Sequence, residues 1–180
     1  MRLFVGAELG EDAKDLIGEL IDACRHLDLP ARYEAREKQH LTIAFLGVTE
    51  DDRLPQVCSA LCEAAAACEP FALRFDDVGA FPSKSRPRLL WLGSSDENVR
   101  FAACARRVRA AFQNMGWAFR EEPIAHVTFC RCRRPFNRMP ALAVAAPVLV
   151  RVRELALFQS IAAGGSTRYE VRFRATLGRP

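Results

Sequence analysis

The sequence predicts an α+β fold built on antiparallel sheets, and three observations carry that prediction. Segments with the two-residue period of strands are mixed with segments of helical period, in a coarse order β-α-β-α-β-β-α-β with further strands after it. Several strand pairs are separated by short, hairpin-like connections. The stretch His40-Leu41-Thr42-Ile43-Ala44-Phe45-Leu46-Gly47 returns as His126-Val127-Thr128-Phe129-Cys130-Arg131, close to half a chain length later. That spacing suggests a duplicated unit whose pseudo-two-fold axis would bring the two His-Thr faces together across a groove. The two motif-bearing halves are about 1–90 and 91–180.

Taken in order, Arg2–Glu8 reads as a strand. Glu11–His26 reads as an amphipathic helix, with Leu16, Ile17, Leu20, Ile21 and Cys24 on one stripe and Glu11 and Asp12 in the first turn. Pro30 closes the connection, and a short strand is expected near Arg32–Ala35. His40–Leu46 follows as a strand ended by Gly47. A second helix is expected from about Leu54 to Cys68, with Pro55 in its first turn and a stripe of Leu54, Val57, Cys58, Leu61 and Cys62. Phe71, Leu73 and Phe75 alternate as a strand, and Gly79–Arg88 reads as a basic loop. Leu89–Leu92 is a short strand. A helix over Glu97–Met115 stops at Gly116, with Arg106, Arg107 and Arg109 on its polar side. Trp117–Arg120 is expected as a strand, and Arg133–Ala146 as partly helical. Val148–Ser160 reads as one long strand, joined through a Gly164-Gly165 turn to a returning strand at Tyr169–Arg174.

Composition bounds the rest. A chain of 180 residues, half of them hydrophobic and 27% charged, suits one domain spanning 1–180 that buries a sizeable core. The net charge of +4 permits an anionic partner without requiring one. Seven Cys, an odd number without a C-x-x-C pair, argue for reduced thiols rather than a metal site or a disulfide framework. The N-terminal residues lack the apolar core of a signal peptide. The longest apolar run, Met139–Val150, is short for a membrane span and carries Pro140 and Pro147. A soluble cytoplasmic protein is expected, with no membrane and no obligate protein partner.

In a regular strand His40, Thr42 and Ala44 share one face and Leu41, Ile43 and Phe45 the other; His126, Thr128 and Cys130 likewise oppose Val127 and Phe129. Each strand therefore offers an imidazole and a hydroxyl on one face. Two opposed imidazoles can divide the work of in-line displacement at phosphorus, one taking a proton from water while the other gives one to the leaving oxygen. The Thr hydroxyls can donate to non-bridging oxygens, and an Arg can add a bidentate contact. This use of imidazole as acid and base calls for no metal and no cofactor.

The H-x-T-x-x-F and H-x-T-x-x-R motifs resemble those of the 2H phosphoesterases, specifically the RNA 2′,3′-cyclic phosphodiesterases also called 2′-5′ RNA ligases. Arg2-Leu3-Phe4-Val5, Gly79-Ala80-Phe81-Pro82, Arg86–Trp91, Leu155–Ser160 and Arg168–Val171 extend the likeness over nearly the whole chain. The resemblance implies a bilobal fold with a sheet in each lobe, lobes sharing strands of both halves, and motifs facing a cleft. It implies hydrolysis of an RNA 2′,3′-cyclic phosphate end to a 2′-phosphate, with His40 as proton donor, His126 as proton acceptor, Thr42, Thr128 and Arg131 on the phosphate, and reversible 2′-5′ joining. The surroundings of the motifs depart from the family. Ala44 stands where Lys is common, Tyr33, Ala35, Arg36 and Lys38 replace an approach rich in Trp, Pro and Asn, and Ile124-Ala125 replaces Arg-Pro. A phosphodiesterase for small cyclic nucleotides or 2′-5′ linkages is the alternative, followed by a non-catalytic RNA-binding relative.

Three further substrate-binding candidates are conditional. Arg131 shares a face with Val127 and Phe129 in an unbroken strand, and reaches the phosphate only if the strand ends or bulges after Thr128. Phe45, its counterpart, reads as a core aromatic before it reads as a base-stacking residue. Phe81, in the basic loop, is a stacking candidate with burial as the alternative. Lys84, Arg86, Arg88, Arg133 and Arg134 are candidates to steer RNA phosphates, with solvated surface as the alternative.

Overall fold

The computed structural model describes residues 1–134 and 137–178. In chain order its elements are β1 (Arg2–Glu8), α1 (Glu11–His26), β2 (Ala31–Tyr33), β3 (His40–Val48), α2 (Leu54–Ala66), β4 (Phe71–Phe75), β5 (Asp77–Phe81), β6 (Leu89–Gly93), α3 (Val99–Gln113), β7 (His126–Cys132), β8 (Val148–Val152), β9 (Glu154–Ala163) and β10 (Ser166–Thr176). Every strand pairing among the described residues is antiparallel. One four-stranded sheet runs β10-β9-β1-β3, a second runs β2-β7-β6-β5, and β4 and β8 pair alone. The α+β class with antiparallel sheets and flanking helices holds, and each large sheet draws strands from both halves of the chain.

α1 forms where the sequence predicts it. Leu16, Ile17, Leu20, Ile21 and Cys24 are all buried, and the helix packs on β7 and β8 behind the second sheet. Each of the four Leu and Ile side chains contributes roughly 1.5–3 kcal/mol on burial. Asp28, at φ 50, turns the chain out of the helix. α2 and α3 pack on each other and back the first sheet, α2 against β10 and β9, α3 against β3. α2 ends at Ala66, and its buried stripe is Val57, Leu61, Ala64 and Ala65; Cys58 is half-buried and Cys62 exposed. Asn98 caps α3, its side-chain oxygen accepting from the Phe101 N–H at 2.8 Å. No described helix is long and apolar enough to cross a membrane. All seven Cys are free thiols.

Several expected boundaries move. Gly47 does not end β3; it takes φ +69 within the strand, which continues to Val48 opposite Arg2. Gly79, Ala80 and Phe81 belong to β5, not to a loop. The Trp91 indole lies across Gly79, so close that a Cβ there would sit 2.0 Å from a ring carbon. Glycine is thus a packing requirement of this strand pair. Trp117–Arg120 forms no strand, because its side chains serve elsewhere. The Trp117 indole N–H donates to the Leu46 carbonyl at 2.7 Å, and Arg53 stacks on that ring at 4.1 Å. Arg109 is half-buried rather than a purely polar-side residue, and its Nε donates to the Ile43 carbonyl at 2.9 Å.

The described part of 133–146 contains no helix; residues 135–136 of that expectation lie outside the described residues. Val148–Ser160 is two strands. The chain breaks at Arg153, whose carbonyl accepts from the Leu177 N–H, so that β8 joins β4 while β9 joins β1. The hairpin at Gly164-Gly165 forms, with both glycines at positive φ and with longer arms than expected.

Candidate active site

Both motif strands carry a β-bulge at the same place. Along β3, Thr42 pairs with Gly6 and Ala44 with Val5, leaving Ile43 as the extra residue. Along β7, Thr128 pairs with Trp91 and Cys130 with Leu90, leaving Phe129 extra. A bulge shifts the side-chain alternation by one. Hence Ile43 and Ala44 are both buried and Phe45 emerges, 68% exposed, on the face of His40 and Thr42. In β7, Phe129 and Cys130 are both buried and Arg131 emerges beside His126 and Thr128.

Four expectations are settled by this shift. Ala44 and Cys130 do not share the histidine face; they lie in the core. Phe45 is not a core aromatic. Arg131 reaches the cleft by the bulge its candidacy required. A second bulge in β3 leaves Leu46 extra, and the carbonyls of Ile43 and Leu46 are the ones taken by Arg109 and Trp117.

His40, Thr42, Phe45, His126, Thr128 and Arg131 line one cavity of about 200 Å³ between the two large sheets. Each imidazole is held the same way. His40 Nδ1 donates to the Lys38 carbonyl at 2.6 Å, and His126 Nδ1 to the Ile124 carbonyl at 2.9 Å, each two residues earlier. A carbonyl can only accept, so both neutral rings carry their proton on Nδ1 and leave Nε2 available.

Burial holds both imidazoles below their ordinary value, while the carbonyl contacts act in the opposite sense. The Glu34 carboxylate further favours the charged form of His40, and Arg131 opposes charge on either ring.

Aromatic rings fix both imidazoles. His40 lies 4.7 Å from Phe4 and meets Tyr169 edge-on at 5.2 Å. Phe4 stacks on Phe158 at 4.9 Å beneath it. His126 meets Phe81 edge-on at 5.0 Å and lies 6.1 Å from Trp91. Phe81 therefore packs on His126 and Trp91; it does not line the cavity. Arg131 Nε donates to Glu34 Oε1 at 2.6 Å, and Lys38 donates to the Ser166 hydroxyl at 2.9 Å.

Glu34, Lys38, Leu89 and Tyr169 complete the lining and were not among the residues singled out by sequence. Their sequence signals are indirect: Glu34, Lys38 and Leu89 lie near a motif or its partner strand, and Tyr169 lies within the Arg168–Val171 stretch that shares the family likeness. Among the described residues no cluster of His, Cys, Asp or Glu is arranged to hold a metal ion.

A family model described as LigT-like phosphoesterase matches residues 8–91. A protein of Thermotoga maritima named RNA 2′,3′-cyclic phosphodiesterase is 26% identical over 133 residues, covering 74% of this chain and 71% of its own length. One of Archaeoglobus fulgidus with the same name is 27% identical over 134 residues, 74% of each. Among solved structures, a Thermus thermophilus protein matches with a TM-score of 0.83 at 25% identity, over 98% of each chain. Apo LigT of E. coli matches with a TM-score of 0.77 at 26% identity, over 99% of this chain and 98% of its own.

The fold and the paired motifs are those of a 2H phosphoesterase. Within that class the chain is similar to the LigT-like phosphoesterases, whose family model it matches over residues 8–91.

Proposed function

We propose that this protein hydrolyses the 2′,3′-cyclic phosphate of RNA 3′ ends to a 2′-phosphate, without a metal ion, using His40 as acid and His126 as base. The observation that carries the reading is the pair of imidazoles, each tied through Nδ1 and each offering Nε2 to one cavity that also holds two Thr hydroxyls. The names of the relatives support the same substrate.

His126 Nε2 takes a proton from water, whose oxygen bonds to phosphorus as the bond from phosphorus to O3′ breaks. His40, charged at the outset, delivers its Nε2 proton to that departing oxygen. The Glu34 carboxylate near His40, acting on His40 alone, supports this division of roles. Thr42, Thr128 and Arg131 donate to the non-bridging oxygens, where charge builds in the transition state. A 5′-hydroxyl in place of water forms a 2′-5′ bond by the same proton movements, which would account for joining. Phe45 at the rim is the residue open to a base.

The test is turnover in EDTA of nucleoside 2′,3′-cyclic phosphates and of RNA oligomers carrying that end, with identification of the product. A 2′-phosphate formed in chelator, and lost by ~10²–10⁴-fold in His40→Ala and in His126→Ala, is the expected result. Turnover confined to mononucleotides or 2′-5′ dimers would replace the RNA end by a small substrate. Binding without turnover would remove catalysis.

A further inference from the structure

Arg32 and Arg131 stand directly opposite each other across the β2–β7 pair. Both side chains leave the sheet on the cleft face. Their neighbours establish the direction: Tyr33 and Cys130, the next pair in register, turn the other way, Tyr33 under Arg25 of α1 and Cys130 against Cys24 of α1. Glu34, two residues from Arg32 and on the same face, lines the cavity. Like charges at a directly opposed position are destabilising unless something compensates them. One carboxylate is at hand, and Arg131 takes it at 2.6 Å. Among the described residues no carboxylate pairs with Arg32, which is exposed. Arg32 thus lies beside Arg131 on the cleft face of the sheet, outside the lining of the cavity itself.

A cation opposed to a cation, beside a pocket read as a phosphate site, is arranged for a second anion. An RNA 3′ end differs from a free nucleoside cyclic phosphate by the phosphate on the 5′ side of its terminal ribose. We propose that Arg32 receives this 5′-phosphate and thereby makes the enzyme prefer RNA ends to nucleosides. The assignment rests on the cyclic phosphate occupying the cavity between His40 and His126. Arg suits the task, because its fork meets phosphate oxygens in a fixed geometry.

The experiment compares a nucleoside 2′,3′-cyclic phosphate with the same compound bearing a 5′-phosphate, and measures kcat/KM for both. Calorimetric binding of the corresponding 2′-phosphate products, with and without the 5′-phosphate, reads the same subsite without turnover. In the wild type the 5′-phosphate should raise kcat/KM and product affinity by roughly ten- to hundredfold, the usual weight of a hydrogen bond to a charged group. In Arg32→Gln the ratio between the two compounds should collapse towards one, and the salt dependence of oligomer binding should lose about 0.7 from its logarithmic slope. A ratio unchanged by Arg32→Gln, or no preference in the wild type, overturns the proposal. Absence of turnover for every compound, with the binding ratio intact, would strike the catalytic reading and leave this subsite standing.

Discussion

Phe45 and Arg131 occupy one position in two copies of a strand, three residues beyond the Thr of each motif, and both reach the cleft because an extra residue has slipped the alternation behind them. The H-x-T-x-x-F and H-x-T-x-x-R spacings are therefore records of a bulge. A regular strand would bury the last residue of each.

Glu34 links the two walls chemically. It accepts from Arg131 and favours the imidazolium of His40. In Glu34→Gln the His40 pKa should fall further, because the carboxylate that raises it is gone. His40, the proposed acid, would then lose its proton at lower pH, moving the alkaline limb of the kcat/KM profile towards acid. Rates at pH 6 and pH 8 check this; an unmoved limb would separate Glu34 from His40.

On the proposed roles the profile itself should be bell-shaped, since one ring would be neutral and the other charged. Burial lowers both from the ordinary 6.5, so the kcat/KM optimum should lie on the acid side of that value. A plateau through pH 8 in a chemistry-limited assay would contradict paired imidazoles.

Stability should follow the same groups. With both folded values lowered, the unfolded chain binds more protons than the folded one as the pH drops below about 6.5. The contribution is present in full above that pH and is lost as the pH falls through the folded values. Thermal melts from pH 8 to pH 5 should show the decline, and a His40→Asn/His126→Asn double variant should flatten it.

Thr42→Val and Thr128→Val keep shape and remove the hydroxyl donor. Each should lower kcat by about 10²–10³-fold, as loss of one transition-state donor does, with thermal stability nearly unchanged. A fall in stability to match the fall in rate would make these residues structural.

Gly79→Ala tests the platform behind His126. Its Cβ would overlap the Trp91 indole, and the ring must move. A loss of about 1–3 kcal/mol is expected from overpacking, with a change in tryptophan emission and a weakened hold on His126. A variant as stable as wild type would show that the indole has room to give.

Much of this was legible in the sequence because helices and strands write their periods locally. α1, β1 and β4 fall where the periods put them, and the hairpin of β9 and β10 turns at the expected glycines, though its arms differ from the expected bounds. The paired His and Thr residues were legible for the same reason. The bulges were visible only as two adjacent core residues, Ile43-Ala44 and Phe129-Cys130, where strict alternation calls for one. What local pattern cannot carry is partner choice. Arg153 divides an unbroken run of strand-forming residues because its two sides serve different sheets. Tyr169 enters the cleft from a strand more than half a chain length from His40, and Glu34 matters only once β2 lies beside β7.

The order of strands has a last consequence. β1 and β3 belong to one wall of the cleft, while β2, threaded between them in the chain, belongs to the other; β7 and β9 cross back in the opposite sense. The two walls are laced rather than hinged, so neither can be severed and still close its own sheet. Cutting the backbone midway should give fragments that regain a cleft only by reassembling together.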